Sequence, residues 1–333
     1  MTQTASTGSP PRYAGPVDYD AYGLYGPGRG FNKGQAFQRP VYRFQGRITA
    51  GGAYPAVSGR YHLYISWGCP WAQRTAIVRK LKGLEGVVTL SYVDDVRDGR
   101  GWAFREHRGP DPVNGFTLLA EAYEATEPGY DGHVSVPVLW DRETGTIVSN
   151  NFPDITIDLG TQFGAWAAPL PDLYPEPLRA EIDALNERVY TNVNNGPYRV
   201  AGATAQQDYT ELRQAMLALL AELDERLAGR RYLVGSEVTE ADVRLWPTLA
   251  RFDTGYNPLA GVTDRRLTHY GSLWAYARDL YRLPAFRETT DFASFDGLVR
   301  GPKPSFVNDA PWRIQVEPRL ADWDEPPGRD HLG

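Results

Sequence analysis

Thiols are nearly absent from this 333-residue chain: Cys69 is the only cysteine. A single thiol excludes an internal disulfide and excludes dithiol exchange within one protomer. What remains is monothiol chemistry, in which the thiol attacks an electrophile or a thioether and an external thiol resolves any mixed disulfide. Long apolar runs are also missing. No stretch approaches the length of a membrane span, and residues 1–13 are polar, without the apolar segment of a secretion signal. Together with the lack of a disulfide framework, this predicts a reducing, cytoplasmic setting and no membrane partner.

Lysine is confined to Lys33, Lys80, Lys82 and Lys303, so the 35 basic residues are nearly all arginine, as in the product of a high-GC genome. There is no basic stripe, and a net charge of −6 argues against a nucleic-acid partner. The five histidines (His62, His107, His133, His269 and His331) have no ligand spacing, which predicts no metal site. No Gly-x-Ser-x-Gly elbow occurs. Glu121, Glu124 and Glu127 read as a solvated face. With 42% hydrophobic residues the chain is an ordinary globular sequence, and its length favours two domains over one.

The thiol that is present sits in a telling place. Residues 61–67 alternate as a strand, Gly68-Cys69-Pro70 makes a turn, and a helical pattern follows over 70–81. Cys69 therefore falls at a helix N-terminus, where unpaired N–H groups and the helix dipole favour thiolate. Pro70 suits the first helical turn, and Arg74 adds positive charge one turn along. The bland alternative is an inert, buried cysteine.

Around this segment the chain organises into four parts. Residues 1–59 read as an extended N-terminal arm, with the segment 22–30 flexible or wrapped on the surface. Its glycines at 23–30 form no phosphate loop, because no strand precedes them and no Gly-Lys-Ser/Thr follows. Residues 60–165 read as αβ, with strands at 61–67, 87–93 and 134–140, a hairpin partner at 143–148, an irregular or partly helical insertion at 109–132 and a closing helix at 150–163. Pro137 inside an apolar strand is hard to place in a ladder, and a cis-proline resolves the conflict. This is a thioredoxin-like plan. Residues 173–290 read as all-helical, with amphipathic stretches at 178–193 and 209–227 and another helix at 272–280. Thr239 and Asp242 form a capping box ahead of the run at 243–249. Residues 291–333 read as a tail packed over both.

A thioredoxin-like domain carrying Cys69-Pro70-Trp71-Ala72, joined to a helical domain, resembles the glutathione transferases, and within them the xi-class glutathionyl-hydroquinone reductases. The resembling segments run in order through Gly59–Ser66, Arg79–Glu85, Gly101–Phe104, Val136–Asp141, Val193–Tyr198, Arg231–Gly235, Glu240–Trp246, Arg251–Asp253 and Asp322–Asp330. The resemblance implies a fold of thioredoxin-like α/β domain plus all-α glutathione-transferase domain, glutathione as co-substrate, and a homodimer. Cys69 would attack the sulfur of a glutathionyl-hydroquinone, and Tyr198 would protonate the departing aromatic carbon. Trp102 would cover the thiol ligand, although a lone tryptophan is more often packing. The stretch His133, Val134, Ser135, Val136 and Pro137 would present backbone hydrogen bonds to the ligand's cysteinyl part, and Asn150 and Asn151 would line its γ-glutamyl end. Tyr256, Val299 and Phe152 would fall in the substrate site.

The departures from the family pattern are specific. The family's Asn-Glu-Ser reads Asn150-Asn151-Phe152 here, which removes a charge and a hydroxyl expected to grip the γ-glutamyl group. Loss of one such contact costs about 1.5–3 kcal/mol. Gln73 replaces a common histidine, and Val299 stands where a substrate-site tyrosine is expected. Two other readings therefore stay open. One is a transferase using another thiol, such as mycothiol, or a specialised-metabolite substrate. The other is a non-catalytic binding or accessory protein on the same fold.

Overall fold

The computed structural model describes residues 10–25, 36–168, 172–304 and 306–332. The expected glycine-rich loop lies outside these residues from position 26 to 30. In chain order the elements are α1 (Tyr19–Tyr22), β1 (Tyr61–Ile65), α2 (Pro70–Leu81), β2 (Thr89–Tyr92), α3 (Ala120–Thr126), β3 (Val138–Asp141), β4 (Thr146–Ser149), α4 (Phe152–Thr161), α5 (Arg179–Val189), α6 (Gly196–Ala201), α7 (Gln206–Leu227), α8 (Glu240–Ala250), α9 (Asn257–Ala260), α10 (Gly271–Tyr281), α11 (Pro284–Arg287) and α12 (Gly297–Arg300). Two π-helical segments, Tyr190–Asn194 and Phe252–Tyr256, follow α5 and α8.

The sheet runs β2-β1-β3-β4, with β1 and β2 parallel and the other two pairs antiparallel. A βα unit followed by a hairpin is the thioredoxin-like arrangement. Every residue of β1 is buried, because α2 covers one face of the sheet and the other is closed by Phe104, Tyr123 and neighbouring side chains. His62 belongs to this core. Its ring nitrogens meet Thr89 Oγ1 at 2.7 Å and Ser91 Oγ at 2.8 Å, and burial pushes its pKa down to about 3, so it is a neutral, satisfied histidine. Arg60 closes the β3–β4 hairpin through a two-pronged pair with buried Asp141, at 2.8 and 2.6 Å.

α2 is buried on all sides from Pro70 to Val78. An amphipathic helix would leave one face to water, but here the helical region packs against the face that the sheet does not take. Arg74, fully buried, donates to the Arg244 carbonyl of α8 at 2.7 Å. The capping box of α8 is present: Asp242 Oδ2 accepts from Thr239 N–H at 2.7 Å, and Oδ1 accepts from Tyr276 O–H at 2.7 Å and Leu233 N–H at 3.0 Å. The tail docks through Trp323, which meets the rings of Trp246, Trp274, Tyr281 and Phe292. Arg329, also buried, donates to main-chain carbonyls of Leu227 and Arg231.

One expectation needs correction and two gain detail. The third strand begins at Val138, and residues 134–137 are extended loop, because the cis Val136–Pro137 bond turns the chain before the ladder starts. Glu124 is exposed and Glu127 partly so, as a solvated face requires, but each of the three glutamates has a partner. Glu121 accepts from the Thr117 and Leu118 N–H groups ahead of α3, Glu124 holds the turn at Gly129, and Glu127 pairs with Arg43 of the arm. The arm is held on the thioredoxin-like part: Gln45 bridges to Ser149 of β4, and Arg47 forms a two-pronged pair with Asp158 of α4.

One buried carboxyl gives a pH signature. Asp253 accepts from Leu267 N–H at 3.0 Å, and burial raises its pKa from 3.8 to about 6. A carboxyl raised in the folded state binds its proton more tightly there, so its stabilising contribution is full below about pH 4 and is lost as pH rises through 6. The unfolding free energy of wild type relative to Asp253→Asn is therefore expected to fall by about 2–3 kcal/mol between pH 4 and pH 7, measured by chemical denaturation.

Candidate active site

The loop from Trp67 to Cys69 is held from three directions. Asp95 accepts from Gly68 N–H at 2.6 Å and from Ser66 Oγ, and is itself fixed by Arg108 at 2.7 Å. Space at Gly68 is tight: a Cβ there would lie 3.2 Å from Asp95 Oδ1 and 3.3 Å from the Ser294 carbonyl, so both would have to yield slightly. Arg251, buried in the helical region, donates to the carbonyls of Trp67 at 3.0 Å and Gly68 at 3.3 Å and also to Gln73 Oε1. Gln73 turns its amide to the Thr289 carbonyl and Thr290 Oγ1, both at 3.0 Å. The residue that replaces the family histidine thus ties α2 to the end of the helical part and to Arg251.

Cys69 is the N-cap of α2, with Pro70 at the first helical position. Its Sγ donates to the Val136 carbonyl at 3.6 Å, next to cis-Pro137. A thiolate cannot donate, so this contact belongs to the protonated thiol. Burial raises the Cys69 pKa, and it outweighs the opposing pull of the Ala72 and Trp71 N–H groups and the charges of Arg251 and Arg97. The expected helix-start apparatus is present, yet it does not hold the thiol ionised. Burial outweighs the two N–H groups of the helix start and the two nearby guanidinium charges. Replacing Arg251 by methionine is expected to slow iodoacetamide alkylation of Cys69 at pH 8 about three- to tenfold and to move its pH midpoint upward, with Arg251→Lys in between.

The second half of the site comes from the helical region and is aromatic. The π-helical turn at Tyr190–Asn194 and the short α6 present Tyr198, and the second π-helical turn presents Tyr256. π-helical bulges often mark functional sites. The two hydroxyls meet at 3.0 Å. Tyr256 is fully buried, and burial holds its pKa well above 10, so it stays protonated and can donate to Tyr198. Arg251 acts electrostatically on Cys69, Tyr198 and Tyr256 together, which places all three in one neighbourhood. Trp71 lies between them, its ring centroid 6.4 Å from that of Tyr198. Val299 lies on α12, which packs against the segment carrying Tyr256.

The structure separates the other expected site residues. Val136 faces the thiol. His133 is close to Arg97 and Arg39, and burial lowers its pKa to about 4, so its imidazole is neutral. Val134 packs on the core. Ser135 is engaged elsewhere, its carbonyl accepting from Tyr123 O–H at 2.8 Å and its N–H donating to the same oxygen. Trp102 is buried, with its ring stacked on Arg97.

Asn150 does not line the pocket. It is buried, bonds Tyr123 and Ser135 through Nδ2 and accepts from Phe44 N–H, because the arm needs a partner at the end of β4. Asn151 caps α4 and spends its Nδ2 on Asp154 at 2.8 Å. Phe152 is wholly buried under Trp71, 5.1 Å between centroids, with Arg74 against its ring, so it forms the wall behind the site and not a ligand contact.

Sequence reasoning missed the arm's part in the site. Arg39 lies over Trp71 and Tyr198, Tyr42 meets Phe152 edge-on, and Tyr25 covers Arg97. The available signal was the spacing of Phe37, Arg39 and Tyr42 in a segment otherwise free of pattern.

The geometry is matched by known proteins. Residues 68–162 match the family model of the glutathione S-transferase N-terminal domain, and residues 206–279 match that of the C-terminal domain. The glutathionyl-hydroquinone reductase YqjG of Escherichia coli is 38% identical over 89% of this chain and 93% of its own. The chain belongs to the glutathionyl-hydroquinone reductase family. A xi-class glutathione transferase of Natrialba magadii superposes with a TM-score of 0.81 at 35% identity, covering 90% of this chain and 94% of that one. The glutathione-bound structure of YqjG superposes at 0.77 with 39% identity over 85% and 92% of the two chains. Glutathionyl-hydroquinone reductases are oxidoreductases of the glutathione transferase superfamily, and this chain is one of that superfamily's enzymes. Among the described residues no cluster of metal-ligating side chains occurs, and no helix is long and apolar enough to cross a membrane.

Proposed function

We propose that this protein is a glutathione-dependent reductase of glutathionyl-hydroquinones, with Cys69 as nucleophile and Tyr198 as acid. The observation that carries the reading is one lone thiol at the start of α2, facing the Val136 carbonyl, with the Tyr198–Tyr256 hydroxyl pair in the same neighbourhood. The glutathione bound in the Escherichia coli relative supports the choice of co-substrate.

In the first step the Cys69 thiolate attacks the sulfur of the arylthioether. The S–S bond forms, the carbon–sulfur bond breaks, and its electron pair stays with the ring carbon, which takes a proton from Tyr198. Tyr256 donates to the Tyr198 oxygen as that proton leaves. A second glutathione thiolate then attacks the mixed disulfide, releasing glutathione disulfide and restoring Cys69. The ring carbon is reduced by two electrons, and the thioether sulfur and one glutathione thiol end as one disulfide. Tyr256 and Val299 line the aromatic side, while Trp102 and the backbone from His133 to Val136 flank the thiol ligand. The working unit is a cytoplasmic homodimer in which the thioredoxin-like part (60–165), the helical part (173–290), the arm (1–59) and the tail (291–333) all border the site.

Incubation with a glutathionyl-hydroquinone and glutathione tests this. Free hydroquinone and glutathione disulfide should appear in equal amounts. Turnover only with mycothiol would replace the co-substrate, and no turnover with either thiol would leave a binding protein.

A further inference from the structure

Two guanidinium groups at the thiol site have no carboxylate partner among the described residues. Arg97 is sandwiched between Tyr25 and Trp102, its Cζ 3.9 Å from each ring centroid; it donates to the Tyr25 hydroxyl and acts electrostatically on both Cys69 and His133. Arg39 donates through Nε to Asn195 Oδ1 at 3.0 Å and lies 4.0 Å above the Trp71 ring, yet its Nη2 is buried with no acceptor. Aromatic faces attract a cation but offer no lone pairs, and a guanidinium carries five donors. A buried, unmatched donor costs free energy unless something else completes it. The nearby acids are already engaged. Asp95 is taken by Ser66, Gly68 and Arg108, and Asp154 by Asn151 and Arg47.

The wall where a γ-glutamyl group would be gripped is closed by Phe152, so recognition has to come from elsewhere on the site. We infer that Arg39 and Arg97 recognise carboxylates of the thiol co-substrate, so that the pocket selects an anionic, carboxylate-bearing thiol over a neutral, glycosylated one. The inference rests on the thiol-dependent reading above and names the chemical class of that thiol. Its physical basis is charge-assisted hydrogen bonding in a site shielded from water, where a guanidinium pairs well with a planar carboxylate.

Alkylation of Cys69 in the full-length protein tests this without turnover. Iodoacetate and iodoacetamide react alike: the thiolate displaces iodide and a sulfur–carbon bond forms. They differ only in that one carries a carboxylate. The ratio of the iodoacetate to the iodoacetamide rate should exceed that of free cysteine at the same pH by about tenfold. It should fall to the free-cysteine value in the Arg39→Gln/Arg97→Gln double variant and be largely kept in Arg39→Lys/Arg97→Lys. Calorimetry should likewise show wild type binding glutathione about tenfold more tightly than its diethyl ester, and the glutamine variant binding both alike. A wild-type ratio equal to that of free cysteine overturns the inference even if the variants do not fold. So does an unchanged ratio in a folded double variant. Failure of the reductase reading would look different: a raised alkylation ratio with no hydroquinone released.

Discussion

Replacing Cys69 by serine is expected to lower kcat/KM for release of hydroquinone by at least about a thousandfold, the scale on which loss of a covalent nucleophile acts. A serine hydroxyl at this position gains little from the Trp71 and Ala72 N–H groups, because an alkoxide is far harder to form than a thiolate and attacks sulfur poorly. No other cysteine in the chain can take over. Glutathione binding should survive, since the side chains that surround the ligand are untouched. The measurement is steady-state turnover with glutathione in excess, alongside a binding titration on the variant. If the serine variant retains a tenth of the wild-type rate, the nucleophile lies elsewhere.

Tyr198→Phe is expected to lower kcat by about 10²–10³, the range in which a general acid acts, with a smaller effect on KM. The ring stays, so its stacking with Trp71, Phe37 and Arg39 is kept, and only the hydroxyl that meets Tyr256 is lost. The single-turnover step that frees hydroquinone should slow, while resolution of the mixed disulfide by glutathione should not, because that second step needs no proton on carbon. Tyr256→Phe should give a smaller loss in the same step. Equal slowing of both steps would make Tyr198 a packing residue.

What the sequence could reveal was local. Pro70 after Cys69, the capping box from Thr239 to Asp242, and the conflict of Pro137 with a strand each depend on residues a few positions apart, and each has the expected conformation here. What it could not reveal was contact across the chain. Arg39 is 159 positions from Tyr198 along the chain, and nothing in the arm's composition says that it lies over that ring. Asn150 and Phe152 stand where the resembling family meets its ligand, but the arm and α2 bury both of them. The thiol itself shows the same limit. A helix start is readable from sequence, whereas the burial that opposes ionisation arises only when Val136 and the arm's Tyr25 and Tyr42 come up to the thiol.

The domain-crossing role of Arg251 follows from the same geometry. It is carried by the motif Arg251-Phe252-Asp253, yet its hydrogen bonds run to Trp67, Gly68 and Gln73 around the thiol. Asp253, two residues on, turns the other way to Leu267, so one short motif serves both the site and the helical core.

The central claim is that Cys69 carries the glutathionyl group between the two half-reactions. Mixing the protein with a stoichiometric amount of glutathionyl-hydroquinone in the absence of free glutathione, then quenching in acid and determining the mass of the peptide containing Cys69, measures this directly. The account predicts one glutathione in disulfide linkage on Cys69, released hydroquinone in equal amount, and removal of the adduct on adding glutathione. Hydroquinone released with Cys69 unmodified would contradict it.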